Sequence, residues 1–210
     1  MSSQLQKSKI AFIGGGNMAA AIIGGLTAKG ISKQNIVVSE PWEVNRAKMG
    51  EIGVRTTESN AEAAADTDIL ILAVKPQVAK GVCQELANAW SGTGRTPLVI
   101  SIAAGITLES LRNWLTSSGG SVAHVVRVMP NTPALVGEGA SGLFAADDVT
   151  ADEKELTTAL LSSVSKATEW VDKEELLDVV TGLSGTYINC LTATTPFRGS
   201  PRESVSQSTN

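Results

Sequence analysis

The sequence predicts a doubly wound α/β fold with a mostly parallel sheet. Three observations support this prediction: strand-length apolar runs alternate with helical segments, the runs have apolar residues at consecutive positions, and a glycine-rich turn joins the first run to the first helix. Consecutive apolar residues are typical of parallel strands, because helices cover both faces of such a sheet. The composition, with 42% hydrophobic and 18% charged residues in 210, is that of a globular protein.

The predicted elements follow one another in a regular order. Strands are predicted at 10–13, 36–39, 54–56, 69–74, 98–102, 122–129, 143–145 and 168–171. Helices are predicted at 18–28, 43–49, 61–65, 78–90, 108–115, 152–162 and 174–180. We therefore expect one domain over residues 1–185. Residues 186–210 are rich in Ser, Thr and Pro and have no sustained period, so we expect a short, irregular and disordered C-terminal tail.

Charge and hydropathy exclude two classes of protein. The net charge is −4 and no run of Lys or Arg forms a basic stripe, so we expect no nucleic-acid partner. The longest apolar stretches, such as 69–74, are far shorter than the roughly 20 residues of a membrane span. The first nine residues are polar and lack the apolar core of a secretory signal. These features favour a cytoplasmic protein.

The cysteines and the histidine do not indicate a metal site or a catalytic group. Cys83 and Cys190 lie far apart, without metal-ligand spacing, and His124 is the one histidine of the sequence. We expect Cys83 to be a small buried residue on a helix. His124 lies early in an apolar strand, so we expect it to have a structural or surface role. The sequence identifies no catalytic side chain.

The turn after the first strand carries the main functional motif. Residues 14–19 (GGGNMA) fit the pattern G-x-G-x-x-G/A directly after a strand and at the start of a helix. Gly14 permits the tight turn, Gly16 lets a phosphate approach the backbone, and Ala19 keeps the helix close to the strand. The free amides and the positive end of the helix dipole then face the anion. This motif predicts a Rossmann-type NAD(P)-binding domain.

The end of the second strand bears on the choice between NAD and NADP. An acidic residue there would bind the ribose 2′-hydroxyl of NAD. Ser39 occupies the position, and its hydroxyl could donate to a 2′-phosphate, to which Arg46 could add positive charge. Glu40 would repel that phosphate if it pointed inward, and Arg46 and Glu40 could equally form a solvated helix face. NADPH is favoured, and NADH remains possible.

Four sequence blocks in order resemble those of the pyrroline-5-carboxylate reductase family. They are 13–18 (IGGGNM), 73–76 (AVKP), 128–133 (VMPNTP) and 181–185 (TGLSG). The resemblance covers residues 9–185. It implies the last step of proline biosynthesis, in which NAD(P)H reduces 1-pyrroline-5-carboxylate to proline.

The resemblance also implies roles for individual residues. The expected cofactor contacts are Gly14, Gly16, Asn17, Met18, Ala19, Ser39, Asn60, Ala73, Val74, Lys75, Pro76, Ala103, Ala104, Gly105 and Asn131. The expected substrate contacts are Asn131, Thr181 and Ser184. Local alternatives remain open for several of these residues. Asn60 could cap the helix that follows it, and residues 73–76 could be a plain strand-to-helix turn with Pro76 in the first helical turn. Residues 129–133 could be a plain loop, and the small residues of 101–105 could equally reflect close packing.

The implied chemistry requires mainly proximity and orientation. A protonated imine carbon is electrophilic, so a hydride can reach it without a side-chain nucleophile or a metal. Members of the family are homo-oligomers with a C-terminal helical dimerisation domain, which we do not recognise after Gly185. We therefore expect either an active reductase or a truncated, catalytically silent NADP-binding protein. A weaker third possibility is another imine or keto reductase, of hydroxyacid or cofactor-F420 type.

Overall fold

A computed structural model describes residues 3–91, 95–116 and 123–177. Within these residues an eight-stranded sheet has the strand order β3-β2-β1-β4-β5-β6-β7-β8. The strands are β1 (Ile10–Ile13), β2 (Ile36–Ser39), β3 (Arg55–Thr57), β4 (Ile69–Leu72), β5 (Leu98–Ser101), β6 (Val125–Pro130), β7 (Gly139–Ala145) and β8 (Ser165–Trp170). The helices are α1 (Ser3–Lys7), α2 (Asn17–Ala28), α3 (Glu43–Ile52), α4 (Asn60–Ala64), α5 (Pro76–Trp90), α6 (Leu108–Leu115) and α7 (Ala151–Leu161). Short 3-10 helices form at Lys33–Asn35 and Thr132–Val136.

The predicted doubly wound, mostly parallel α/β fold is confirmed. Strands β1 to β6 are all parallel to one another. Strand β7 pairs antiparallel with β6, and β8 pairs parallel with β7. The order of the first six strands is that of a Rossmann fold. The carboxyl ends of β1, β2, β4, β5 and β6 consequently lie along one edge of the sheet.

The core consists of two apolar layers, one on each face of the sheet. Successive side chains of a strand point to opposite faces, so Phe12 packs in one layer with Ile22 of α2, and Ile13 packs in the other with Leu86 of α5. All four residues of β1 are buried. This burial on both faces explains the consecutive apolar residues of the strands.

Some elements differ from the sequence prediction. Helix α1 was not predicted, because its five residues contain a single large apolar side chain, Leu5, which is fully buried. Strand β4 ends at Leu72 rather than at residue 74. Strand β7 begins at Gly139, four residues earlier than predicted, because Gly139 and Ala140 pair with β8, and the strand pairs with β6 as well from Ser141 onward.

The end of the described chain contains part of the last predicted helix. Residues 175–177 form one helical turn, and residues 178–180 of the prediction lie outside the described residues, as does the predicted tail. In the described ranges, no helix is long and apolar enough to cross a membrane.

Candidate functional site

The segments that follow the carboxyl ends of the parallel strands form the candidate site. Ligands of open α/β sheets bind in the crevice outside these ends. The predicted cofactor residues lie there: 14–19 follow β1, Ser39 ends β2, Asn60 follows β3, 73–76 follow β4, 103–105 follow β5 and Asn131 follows β6. Neighbouring segments are joined directly, because Gly14 N donates to Ser39 O at 2.8 Å and Ala73 N donates to Ile13 O at 2.8 Å.

Gly14 makes the tight turn after β1. Its φ is +102°, a conformation that L side chains rarely adopt. A Cβ at this position would lie 2.6 Å from the carbonyl oxygen of Ala73. Both the backbone conformation and the packing against the segment after β4 therefore require glycine here.

Gly16 occupies the N-cap position of α2 and leaves open space beside the backbone. Its φ is −76° and its ψ is −179°, it provides no side-chain cap, and no atom lies within 4 Å of the position of a Cβ. Gly16 and Asn17 are exposed, whereas Ala19, one turn into the helix, is 1% exposed. The first amides of α2 thus point from an uncapped helix N-terminus towards an open space, an arrangement that suits an anion such as a diphosphate.

Glu40 points inward, against the glycine turn. The residue is 8% exposed; its Oε2 accepts a hydrogen bond from Gly15 N at 2.8 Å, and its Oε1 accepts one from Trp42 N at 3.0 Å. The indole of Trp42 is 72% exposed beside this carboxylate. The orientation of Glu40 does not follow from the sequence alone, since it depends on an amide 25 residues away.

Ser39 and Asn60 are in direct contact at the ends of β2 and β3. The buried Ser39 hydroxyl donates to Asn60 Oδ1 at 2.8 Å, and Asn60 Nδ2 donates to Glu85 Oε2 at 2.8 Å. The alternative that Asn60 caps α4 is wrong, because Ser59 is the cap and its hydroxyl accepts from Glu62 N. The position of Glu85 on α5 gave no signal in the sequence.

Arg46 is bound to the loop that follows β2. Its Nη1 donates to the carbonyl oxygens of Glu40 at 2.9 Å and of Pro41 at 3.1 Å, and its Nη2 pairs with Glu58 at 2.6 Å. The Arg46 side chain is 20% exposed. The alternative that Arg46 and Glu40 form a solvated helix face is therefore wrong, because Glu40 is buried and Arg46 fixes this loop.

The segments after β4, β5 and β6 expose polar groups at the same edge of the sheet. Lys75 is exposed at the N-cap of α5, and Pro76 lies in the first helical turn, as expected for a strand-to-helix turn. Gly105 follows Ala103 and Ala104, two small residues beyond the end of β5, and has a φ of +71°. Asn131 begins the turn after β6, where its Oδ1 accepts from Ala140 N at 2.9 Å. Thr181 and Ser184 lie outside the described residues.

His124 and Cys83 lie away from this edge. His124 precedes β6, and its Nδ1 is 2.8 Å from Glu153 Oε1. Burial opposes ionisation of Glu153, but hydrogen bonds from Thr150 and His124 outweigh it and hold the pKa of this carboxyl below its usual value. Cys83 is fully buried on α5, and burial raises the pKa of its thiol to about 12.

A buried ion pair was not expected from the sequence. Arg127, on β6, is 2% exposed and pairs with Glu174, which also accepts from Leu108 N at the start of α6. The pair joins the end of the described chain to the sheet. Within the described ranges, no group of His, Cys, Asp or Glu side chains is arranged to hold a metal ion.

Comparisons with known proteins show relatives that carry the name pyrroline-5-carboxylate reductase. The family model described as NADP oxidoreductase, coenzyme F420-dependent, matches residues 9–105. The pyrroline-5-carboxylate reductase of Pseudomonas aeruginosa is 50% identical over 178 residues, which are 84% of this chain and 62% of that protein.

Two solved structures are similar as well. The structure of a pyrroline-5-carboxylate reductase from Coxiella burnetii has 38% identity and a TM-score of 0.77 over 89% of this chain and 68% of that one. The Plasmodium falciparum pyrroline carboxylate reductase, solved with NADP bound, has 28% identity and a TM-score of 0.71 over 90% of this chain and 66% of that one. The chain spans less than two thirds of the length of the curated relatives it matches, 62% and 64% for two of them.

Proposed function

Since the chain belongs to the pyrroline-5-carboxylate reductase family, we propose that it takes part in the NAD(P)H-dependent reduction of 1-pyrroline-5-carboxylate to L-proline. The observation that carries this proposal is the uncapped N-terminus of α2 behind Gly14 and Gly16, at the edge where β1, β2, β4, β5 and β6 end. The relatives that carry the family name support the substrate. We further propose that residues 1–185 form the cofactor domain.

The pyrophosphate of the cofactor would bind at the glycine turn. The amides of Asn17 and Met18 at the start of α2 have no partner within the helix, because the first backbone bond runs from Ala20 N to Gly16 O. The absence of a Cβ at Gly16 lets a phosphate oxygen approach these amides. Gly14 and Ala19 act indirectly, since they hold α2 against β1.

The adenosine end would lie beside Ser39 and Asn60, and the nicotinamide end beyond β4 and β5. Ala73, Val74 and Lys75 follow β4 between these ends, so their backbone would pass along the cofactor. Ala103, Ala104 and Gly105 follow β5; Ala103 is buried, and the small residues Ala104 and Gly105 would leave room for a flat ring. These positions are proposed from the strand order and from the sizes of the side chains.

The chemistry of the step is hydride transfer from the bound reduced nicotinamide to the imine carbon of the substrate. The protein has to hold the two carbons close together and to bind the substrate carboxylate. Asn131 would contribute through Nδ2 or its backbone amide, because its Oδ1 is engaged by Ala140 N. We also propose Thr181 and Ser184 as substrate contacts, by similarity to the family.

Family resemblance further suggests a homo-oligomer that acts on a small molecule and needs no nucleic acid. An apolar groove of about 610 Å³ runs between α2 and the turn after β6, and Leu135 in its wall is 44% exposed. Such a groove would suit the packing of a second copy or a further domain. We place the reaction in the cytoplasm, where a reductase has access to NAD(P)H.

A turnover assay with a matched pair of variants tests the proposal. The purified chain should oxidise NADH or NADPH when 1-pyrroline-5-carboxylate is added. Gly16→Ala should weaken cofactor binding at least about tenfold, because the methyl group occupies the path of the phosphate. Gly24→Ala on the same helix, where a Cβ also meets no atom within 4 Å, should leave binding unchanged. Cofactor binding without turnover would refute the reductase activity and leave the cofactor site intact, whereas absence of binding would refute both.

A further inference from the structure

The carboxylate of Glu40 is fixed where the adenosine ribose lies in this fold. Glu40 is the first residue after β2, and this strand end faces the ribose in dinucleotide-binding domains. Its two oxygens accept from Gly15 N at 2.8 Å and Trp42 N at 3.0 Å. A carboxylate has about four acceptor positions, so about two remain for further donors. Glu40 is thereby held in place and still able to accept hydrogen bonds.

The two side chains that could donate to a 2′-phosphate already make hydrogen bonds. The Ser39 hydroxyl donates to Asn60 Oδ1, and Asn60 Nδ2 donates one of its two hydrogens to the carboxylate of Glu85. A phosphate that accepted from the Ser39 hydroxyl would compete with Asn60 Oδ1, and one that accepted from Asn60 would be limited to the second Nδ2 hydrogen. Such a phosphate would also lie near two carboxylates, those of Glu40 and Glu85.

The nearby cation is engaged in the same way. Arg46 binds two backbone carbonyl oxygens of the loop after β2, and its second nitrogen pairs with Glu58. Its positive charge is therefore largely compensated by Glu58. Recruiting Arg46 to a 2′-phosphate would break these contacts.

We infer that the adenosine end of this site selects a ribose with a free 2′-hydroxyl, so that the chain prefers NADH to NADPH, with Glu40 as the specificity-determining residue. A ribose diol donates hydrogen bonds to a carboxylate, whereas a 2′-phosphate is repelled by it. This inference rests on the cofactor site of the proposed function. It reverses the preference for NADPH that the residue types of Ser39 and Arg46 suggest, because the structure shows both side chains bound elsewhere.

Titration calorimetry with two cofactor fragments tests this end of the site without any catalysis. ADP-ribose and 2′-phospho-ADP-ribose differ only in the 2′-phosphate. On the unmodified chain the phosphorylated fragment should bind at least about tenfold more weakly, as expected for like charges near a partly buried carboxylate. In Glu40→Gln this ratio should fall at least about fivefold, since the charge is lost while the shape is kept. The control Glu43→Gln removes a carboxylate from the exposed first turn of α3 and should keep the ratio of the unmodified chain.

Salt provides a second measurement that needs no variant. Repulsion is screened by ions, so the preference for ADP-ribose should shrink between about 0.05 and 0.5 M salt. A preference that grows or stays constant would overturn the inference, as would equal or tighter binding of 2′-phospho-ADP-ribose, or an unchanged ratio in a folded Glu40→Gln. In those cases the proposed function stands. If neither fragment binds, this inference and the proposed cofactor site both fail.

Discussion

Replacement of Gly14 by alanine should destabilise the fold even without a cofactor. The φ of +102° at this position is strained for an L-residue by about 1–3 kcal/mol. The new Cβ would lie 2.6 Å from the carbonyl oxygen of Ala73 and 2.9 Å from its carbonyl carbon. These are backbone atoms that directly follow β4, so they cannot rotate away, and such overpacking costs a further ~1–3 kcal/mol. The free energy of unfolding should therefore fall by about 2–6 kcal/mol.

Urea denaturation followed by circular dichroism measures this loss, with Gly16→Ala as the control. Gly16 has a φ of −76° and open space where the Cβ would be added. Its replacement should change the free energy of unfolding by no more than about 1 kcal/mol. The reasoning is refuted if Gly14→Ala stays within about 1 kcal/mol of the parent or if Gly16→Ala is equally destabilised.

Three further outcomes are expected. Gly25→Ala should lower the unfolding free energy by about 1–3 kcal/mol in the same urea assay, because its Cβ would lie 2.4 Å from Ser163 O; parent-like stability would contradict this packing. In a Cys190→Ser background, Cys83 should react with a thiol reagent at pH about 8 only on unfolding, because it is buried and its pKa is raised to about 12; rapid labelling of the folded chain would contradict its burial. The lowered pKa of Glu153 means that its stabilising contribution is present above the unfolded value near 4.5 and is lost as pH falls through the folded value. Unfolding scans across that range should show a smaller acid loss in Glu153→Gln, and an equal loss would show that this carboxyl is not involved.

The sequence predicts the central strands and the glycine turn well, because residue types within a few neighbouring positions determine them. Burial on both faces imposes consecutive apolar residues on β1 and β4, and a turn with positive φ requires Gly14. Strand β7 is different, since its first residues form a strand through pairing with the distant strand β8. A Cβ at Gly139 would lie 2.7 Å from the Ala134 side chain, so this glycine reflects close packing rather than a loop.

The adenosine end of the site was harder to predict because its contacts are long-range. The end of the second strand suggested Ser39, and the family resemblance suggested Asn60, as cofactor contacts, but their mutual hydrogen bond spans 21 residues. The direction of Glu40 depends on Gly15 N across 25 residues, and the engagement of Arg46 depends on a carboxylate after β3. None of these contacts can be deduced from the spacing of residues along the chain. The orientations of Ser39, Glu40 and Arg46, on which the inferred preference for a ribose diol depends, are thus set by tertiary contacts.

A crystal structure of the chain with bound NADH tests the central claim most directly. We predict that pyrophosphate oxygens lie about 3 Å from the backbone amides of Asn17 and Met18, above the bare backbone of Gly16. The ribose hydroxyls should lie within hydrogen-bonding distance of Glu40. A dinucleotide bound at another edge of the sheet, with no phosphate at the start of α2, would contradict the account of this site.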